Sequence, residues 1–186
     1  SRWYTGGGLY RDVKLVVTDS KFYLMRHPLY ITTPKVSNEE ATVSVQVEMA
    51  CYTTQNTLKT ELVITDAQGN EVVRQIEELP FNRKMRTCEY QLKDVQLEKP
   101  KLWSCDKPHL YTAQVTIYHE NGEIADQVSE RFGVRSLEFS PKFGLKLNGE
   151  KILLKGIANH HSLGALGSAA YQSAIEKGIQ MLKEFG

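Results

Sequence analysis

Two adjacent histidines, His160 and His161, stand between the apolar run ILLKGIA and the small-residue segment LGALGSAA, just ahead of a helical pattern. Imidazoles at such a junction suggest either a metal or contact with a polar ligand. A shared metal is disfavoured, because neighbours on an extended chain project to opposite faces. His27, His109 and His119 are too dispersed to complete a site, and neither C-x-x-C nor H-E-x-x-H occurs. No metal and no other cofactor is expected. Two readings of His160 stand side by side. It either faces a ligand from the C-terminal end of a parallel barrel strand, where such barrels build their active sites, or caps the next loop as a polar strand end.

Glycines ahead of a helix let backbone N–H groups approach an anion, and LGALGSAA has that order. Its spacing matches neither G-x-G-x-x-G nor G-x-x-x-x-G-K-[ST], so a flexible loop is expected. Acid–base hydrolysis needs two facing carboxylates. Glu150 lies beside a turn, and Glu176 and Glu184 fall on the helix after the candidate strand, so all three read as solvated surface. Neither a G-x-S-x-G nucleophile elbow nor a Cys–His signature is present. No catalytic residue is expected in this chain. Trp3, Tyr4, Trp103 and Tyr111 have flat apolar faces that suit a sugar ring. For Trp103, bracketed by Pro100 and Pro108, packing beneath a loop is the expectation.

The elements that must hold these residues are mostly strands. From Leu9 to about Phe139 the apolar positions recur with period two. ATVSVQVEMAC sets Ala41, Val43, Val45, Val47, Met49 and Cys51 on one face and Thr42, Ser44, Gln46 and Glu48 on the other. LKTELVITDAQGNEVVRQIEEL reads as two strands joined at Asp66 to Asn70, and YTAQVTIYHENGEIADQVSERFGV as two more joined by Asn121-Gly122, a dipeptide suited to a tight hairpin. RTCEYQLKDVQL adds one strand. Turn signals every 8 to 12 residues or so predict an immunoglobulin-like antiparallel β-sandwich over residues 21–140.

After Pro141 the pattern changes. A short hairpin at Asn148-Gly149 leads to ILLKGIA, which reads as a strand buried on both faces. Ala170, Ala174, Ile175, Ile179 and Leu182 then recur at helical intervals. One strand and one helix cannot bury their own surface, so 141–186 is expected to begin a second domain and SRWYTGGGLYRDVKLVV to end an earlier one. Disorder, packing onto the sandwich, or sharing between two chains as a homodimer are the three outcomes open to the C-terminal segment.

The 186 residues carry a formal net charge of +1 with Lys and Arg scattered along the chain, which leaves no footprint for nucleic acid. No apolar run approaches the roughly 20 residues of a membrane span. Cys51, Cys88 and Cys105 form no metal or disulfide pattern, and free thiols are expected. SRWYTGGG has neither the charged start nor the apolar stretch of a signal peptide, and the compartment stays open.

Three segments carry a resemblance. SRWYTGGGLYRDVKL resembles the last strand of the sugar-binding jelly roll of glycoside hydrolase family 2, which holds the large β-galactosidases, β-glucuronidases and β-mannosidases. PKLWSCDKPHLY, followed by RFGVR, resembles that family's immunoglobulin-like domain with its P-x-L-W and P-x-L-Y elements. FGLKLNGEKILLKGIANHHSLGALG is similar to the opening of its (β/α)₈ barrel, where an L-N-G hairpin leads to K-G and then to a strand-end histidine. The resemblance implies the end of the jelly roll at 1–20, the sandwich at 21–140 and the first β/α unit of the catalytic barrel at 141–186. It places His160 at the substrate-contacting histidine and gives His161 no firm counterpart.

In the family an N-x-x-R motif and both catalytic glutamates come later, so this chain is expected to be inactive alone. The implied partner of the intact parent is a β-linked oligosaccharide or glycoside. Ser162 stands where β-galactosidase-like members usually carry aspartate in H-H-D-L-G, which leaves the sugar open. The rival reading makes the sandwich an independent carbohydrate- or protein-binding module.

Overall fold

The computed structural model describes residues 9, 13–19, 21–52, 57–80, 86–156, 158, 164–167, 169 and 171–185. Its strands are β1 (Phe22–Val36), β2 (Glu40–Cys51), β3 (Thr57–Thr65), β4 (Glu71–Pro80), β5 (Thr87–Gln91), β6 (Val95–Glu98), β7 (Tyr111–Tyr118), β8 (Ile124–Phe132), β9 (Leu137–Ser140), β10 (Gly144–Leu147) and β11 (Glu150–Lys151). A 3-10 turn at Gly164–Leu166 and one helix, α1 (Gln172–Glu184), follow. The fold is an immunoglobulin-like antiparallel sandwich with a C-terminal helix.

One sheet sets β1 against β2, with β5 and β6 both on the far edge of β2. The other runs β4-β3-β7-β8. Alternation decides which side chains meet. Val43, Val45, Val47 and Met49 of β2 face inward, as do Leu58, Leu62 and Ile64 of β3 and Ala113, Val115 and Ile117 of β7, and all are 2% exposed or less. Burying a side chain of this size stabilises by about 1.5–3 kcal/mol each, so these rows define the fold. Turns set the register. Asp66 accepts the N–H groups of Gln68 and Asn70 between β3 and β4, and Gly122 adopts φ 85 between β7 and β8.

Two strands occupy RTCEYQLKDVQL where the sequence suggests one. Gln91 pairs with Gln46 and Val95 with Val43, so the β5–β6 side carries one residue more than β2 over the same span. An extra residue breaks the ladder locally. The side-chain amide of Gln91 fills the gap, donating to Ser44 Oγ at 2.9 Å, Leu92 O at 3.0 Å and Val45 O at 3.2 Å. Across the sandwich edge, Gln75 of β4 donates to Lys93 O, and the Lys93 N–H donates to Glu77. These bonds tie the two sheets together along that edge.

The hydroxyl of Thr60, on the inward face of β3, is buried without a hydrogen-bond partner. A desolvated hydroxyl left unsatisfied costs about 1–3 kcal/mol. Thr60→Val keeps the branched shape and removes that group. It should raise the thermal midpoint by about 2–4 °C per kcal/mol recovered, read by circular dichroism; a lower midpoint would show that Thr60 has a stabilising role.

The chain divides into two compact units, Thr18–Leu153 and a smaller one formed by residues 1–17 and 154–186. The L-N-G hairpin of β10 and β11 belongs to the larger unit. In the smaller unit, α1 matches the helical pattern, and Ile175, Ile179 and Leu182 lie 40–58% exposed. ILLKGIA departs from expectation. Residues 152–156 form no strand, and Leu153 and Leu154 are 82% and 77% exposed. A strand buried on both faces takes its burial from pairing neighbours and covering layers, and none of the described residues pairs with this run as a ladder. Residues 13–19 likewise lack regular structure, with Val13, Leu15, Val16 and Val17 exposed.

Candidate functional site

His160, His161 and Ser162 lie outside the described residues, as do Trp3 and Tyr4. The described structure instead shows what holds the hairpin that precedes them. Trp103 sits where the P-x-L-W element meets RFGVR. Its N–H donates to Val134 O at 2.8 Å, and a backbone bridge to Pro108 closes its loop. The guanidinium of Arg135 lies 4.6 Å from the ring centroid, a cation–π contact worth about 0.5–2 kcal/mol. Gly133 supplies the space for the indole. A methyl group at position 133 would come within 2.7 Å of Trp103 Cβ and Cγ.

Asn148 joins this corner to the hairpin. Its backbone adopts φ 52 and Gly149 follows at φ 82, the paired positive angles of a two-residue turn. The side-chain oxygen accepts the N–H of Ser136 at 3.0 Å, while the amide nitrogen donates to Trp103 O at 2.9 Å. The Asn148 N–H also donates to Ser136 O. One residue thus ties β10 and β11 to the chain leaving β8 and to the tryptophan loop. Thr33 Oγ1 donates to Arg135 O at 2.7 Å and adds β1 to the same corner.

Tyr111, from the P-x-L-Y element, anchors the other side of the loop. Its hydroxyl accepts the Lys101 N–H at 2.9 Å, and its ring tilts against Phe132 at 5.9 Å. The family-like motifs are therefore a packing device. Trp103 and Tyr111 do not form a sugar platform, because each is engaged by its own loop.

The remaining candidates are separate. His27 faces Glu130 at 3.8 Å and His119 faces Asp19 at 3.5 Å, on different parts of the sandwich. Glu176 accepts from Gln172 and Glu184 from Gln180 along the helix surface, and Glu150 is exposed on β11. Among the described residues no cluster of His, Cys, Asp and Glu could hold a metal ion, and no helix is long and apolar enough to cross a membrane. Burial, with Cys88 nearby, pushes the Cys51 thiol up to about 12, so Cys51 is an inert core residue.

One polar cluster has no forerunner in the sequence reading. On the outer face of the second sheet, Arg74 pairs with Glu61 and Glu71, while Tyr118 donates to Glu61 at 2.5 Å and Lys59 lies over the Tyr118 ring. The tyrosine hydroxyl, then Arg74, hold the Glu61 carboxyl below its usual range. Every charge here is matched by a neighbour, which suits a stabilising surface network better than acid–base work.

Residues 28–135 match the family described as Glycosyl hydrolases family 2. The chain belongs to that family. It is 32% identical over its whole length to the β-galactosidase BoGH2A of Bacteroides ovatus, covering 22% of that protein. A putative β-glucuronidase of Formosa agariphila is 34% identical, again along the entire chain and over 21% of the relative. Among solved structures, a family 2 member from Bacteroides cellulosilyticus superposes with a TM-score of 0.92 at 30% identity, over all of this chain and 25% of that one. The chain thus spans about a fifth to a quarter of its relatives' length. The family match contains the Trp103–Gly133–Arg135 corner, and Asn148 lies just past it.

Proposed function

We propose that this chain is the central structural section of a retaining β-glycoside hydrolase of the β-galactosidase kind. In this reading residues 1–20 close a sugar-binding jelly roll, 21–140 form the spacer sandwich, and 141–186 open the catalytic barrel. The observation that supports it is similarity along the full chain to a family 2 β-galactosidase. The Asn148 corner gives the spacer a defined end, since it ties the β10–β11 hairpin to the tryptophan loop and to the chain leaving β8.

The chemistry belongs to two glutamates carried by the rest of the parent. One attacks the anomeric carbon while the other protonates the leaving oxygen and then deprotonates water, with the carboxyls about 5 to 5.5 Å apart. His160 donates or accepts a hydrogen bond at a sugar hydroxyl, a contact that lowers the barrier by whatever amount it strengthens in the oxocarbenium-like transition state. Ser162, in place of an acidic residue at the rim, bears on which sugar is taken.

The purified 186-residue chain should release no aryl alcohol from aryl β-galactosides above a mock preparation, while the intact parent turns them over. Hydrolysis by the chain itself would overturn this assignment. A parent complex with a β-glycoside whose hydroxyls lie away from His160 would remove that residue from the site.

The exposed Ile175, Ile179 and Leu182 stripe supports a homodimer of the isolated chain through its C-terminal segment. Light scattering should give about twice the monomer mass for the full chain and a monomer after truncation at Leu153. Equal association states for the two would count against it.

A further inference from the structure

We propose that Asn121 is a site of covalent modification, deamidated by its own backbone to aspartate and isoaspartate, and that the fold protects Asn148 from the same reaction. The chain holds two Asn-Gly dipeptides, at 121–122 and 148–149. In such a pair the glycine nitrogen can attack the asparagine Cγ, because no Cβ on the second residue crowds the nucleophile. The amide proton passes to water or hydroxide, a new N–Cγ bond closes a five-membered succinimide, and the Cγ–Nδ2 bond breaks as ammonia leaves with a proton taken back from water. Water then adds to one ring carbonyl. Opening at Cγ yields aspartate, and opening at the main-chain carbonyl yields isoaspartate. Water is the sole co-reactant.

The two sites differ in what holds the side chain. At Asn121, Oδ1 accepts the Glu123 N–H at 3.0 Å and Nδ2 donates to the Glu123 carboxylate at 2.8 Å, both exposed bonds within one turn. The Gly122 N–H donates to His119 O at 2.9 Å, and a methyl group added at Gly122 would meet no atom within 4 Å. Asn121, Gly122 and Glu123 are all exposed, so water can replace these bonds whenever the turn tip opens, as tips do at low free energy. Asn148 is held from outside its turn. Its oxygen and nitrogen bond to Ser136 and Trp103, both part-buried, and swinging Cγ toward Gly149 breaks the two bonds together. The close approach that attack requires, about 3–3.5 Å between reacting atoms, is therefore reached more often at Asn121.

The product acts on His119, which begins the same turn. The His119 N–H donates to Glu123 O at 2.8 Å, its ring packs on Phe22 at 4.9 Å, and its Nε2 lies 3.5 Å from Asp19 Oδ2. Isoaspartate inserts an extra methylene into the backbone there, and aspartate replaces the donor that meets Glu123 with a like charge. Either change loosens the contact of His119 with the chain entering β1. The proposal needs no turnover, so it stands or falls independently of the hydrolase reading.

The test incubates the 186-residue chain at mildly alkaline pH, folded in buffer and unfolded in urea, and follows the peptides spanning 119–124 and 146–151 by mass spectrometry and enzymatic isoaspartate methylation. In buffer Asn121 should convert about tenfold faster than Asn148, or more. In urea, where only the shared dipeptide remains, the two rates should be alike. Asn121→Ser should abolish the signal at 119–124 and leave Asn148 as slow as before. Equal rates in buffer, faster conversion at Asn148, the same preference persisting in urea, or an Asn121 that stays intact in buffer while the urea sample converts would each overturn the proposal.

Discussion

Gly133→Ala is expected to destabilise the sandwich by about 2–3 kcal/mol, within the range for overpacking a fitted interior. At this chain length that lowers the thermal midpoint by roughly 5–10 °C. Gly133 does not adopt a left-handed backbone angle, so the effect is one of contact. The new methyl group would lie 2.7 Å from Trp103 Cβ and Cγ and 2.8 Å from Cδ1. Trp103 cannot simply retreat. Its N–H is bonded to Val134 O, its carbonyl receives Asn148, and Arg135 lies over its ring.

A double-mutant cycle separates this account from a general intolerance of the position. Trp103→Gly removes Cβ, Cγ and Cδ1 at its own cost, and in that background Gly133→Ala should be close to neutral. The coupling should exceed about 1 kcal/mol, measured by urea denaturation of the four proteins. Additive losses would show that the indole is not what Gly133 accommodates.

That corner also shows what can and cannot be read from a sequence. Strand β2 is legible because Ala41, Val43, Val45, Val47, Met49 and Cys51 alternate with polar residues, and a half-buried strand has no other economical pattern. The turns at Asn121-Gly122 and Asn148-Gly149 are legible because few residues accept positive φ. The break between β5 and β6 is not. One inserted residue leaves the local alternation of RTCEYQLKDVQL nearly intact, and only the partner strand reveals the mismatch.

Long-range partnerships are hidden for the same reason. PKLWSCDKPHLY and RFGVR are recognisable as motifs, yet nothing local states that Gly133 makes room for Trp103 or that Arg135 covers it. ILLKGIA illustrates the opposite error. Apolar composition expresses a demand for burial, and the demand is met only where other segments supply neighbours, so Leu153 and Leu154 stand exposed. Of the candidate site, His160 is an expectation that rests on its motif and lies outside the described residues.

Asn148→Ala should produce the second large loss, about 2–4 kcal/mol, and it should be concentrated in the hairpin. Three contributions combine. The Ser136 N–H, partly buried, loses its side-chain acceptor, and Trp103 O loses a donor; a buried group left unpaired costs about 1–3 kcal/mol. Alanine also tolerates φ 52 less well than asparagine, by about 1 kcal/mol. Asn148→Gly isolates these effects, because glycine accepts the angle and keeps neither bond. Its loss should fall about 1 kcal/mol short of the alanine variant. Asn148→Asp keeps the acceptor for Ser136 but sets a carboxylate against Trp103 O, and should lie on the destabilised side of the wild type.

Hydrogen exchange gives the decisive readout. Amides of Ser136 and Ile152 should lose protection in Asn148→Ala while those of Val45 and Val115, deep in the two sheets, keep theirs, since β9, β10 and β11 form their own small sheet. Equal loss across both groups would mean that the hairpin and the sandwich open as one unit, with no separate lock at Asn148. In the proposed parent the same substitution acts through position rather than contact. If the proposed assignment holds, a loosened hairpin should lower the parent's kcat on an aryl β-galactoside on the order of tenfold, as displaced geometry does, and leave the thermal midpoint of the sandwich core nearly unchanged.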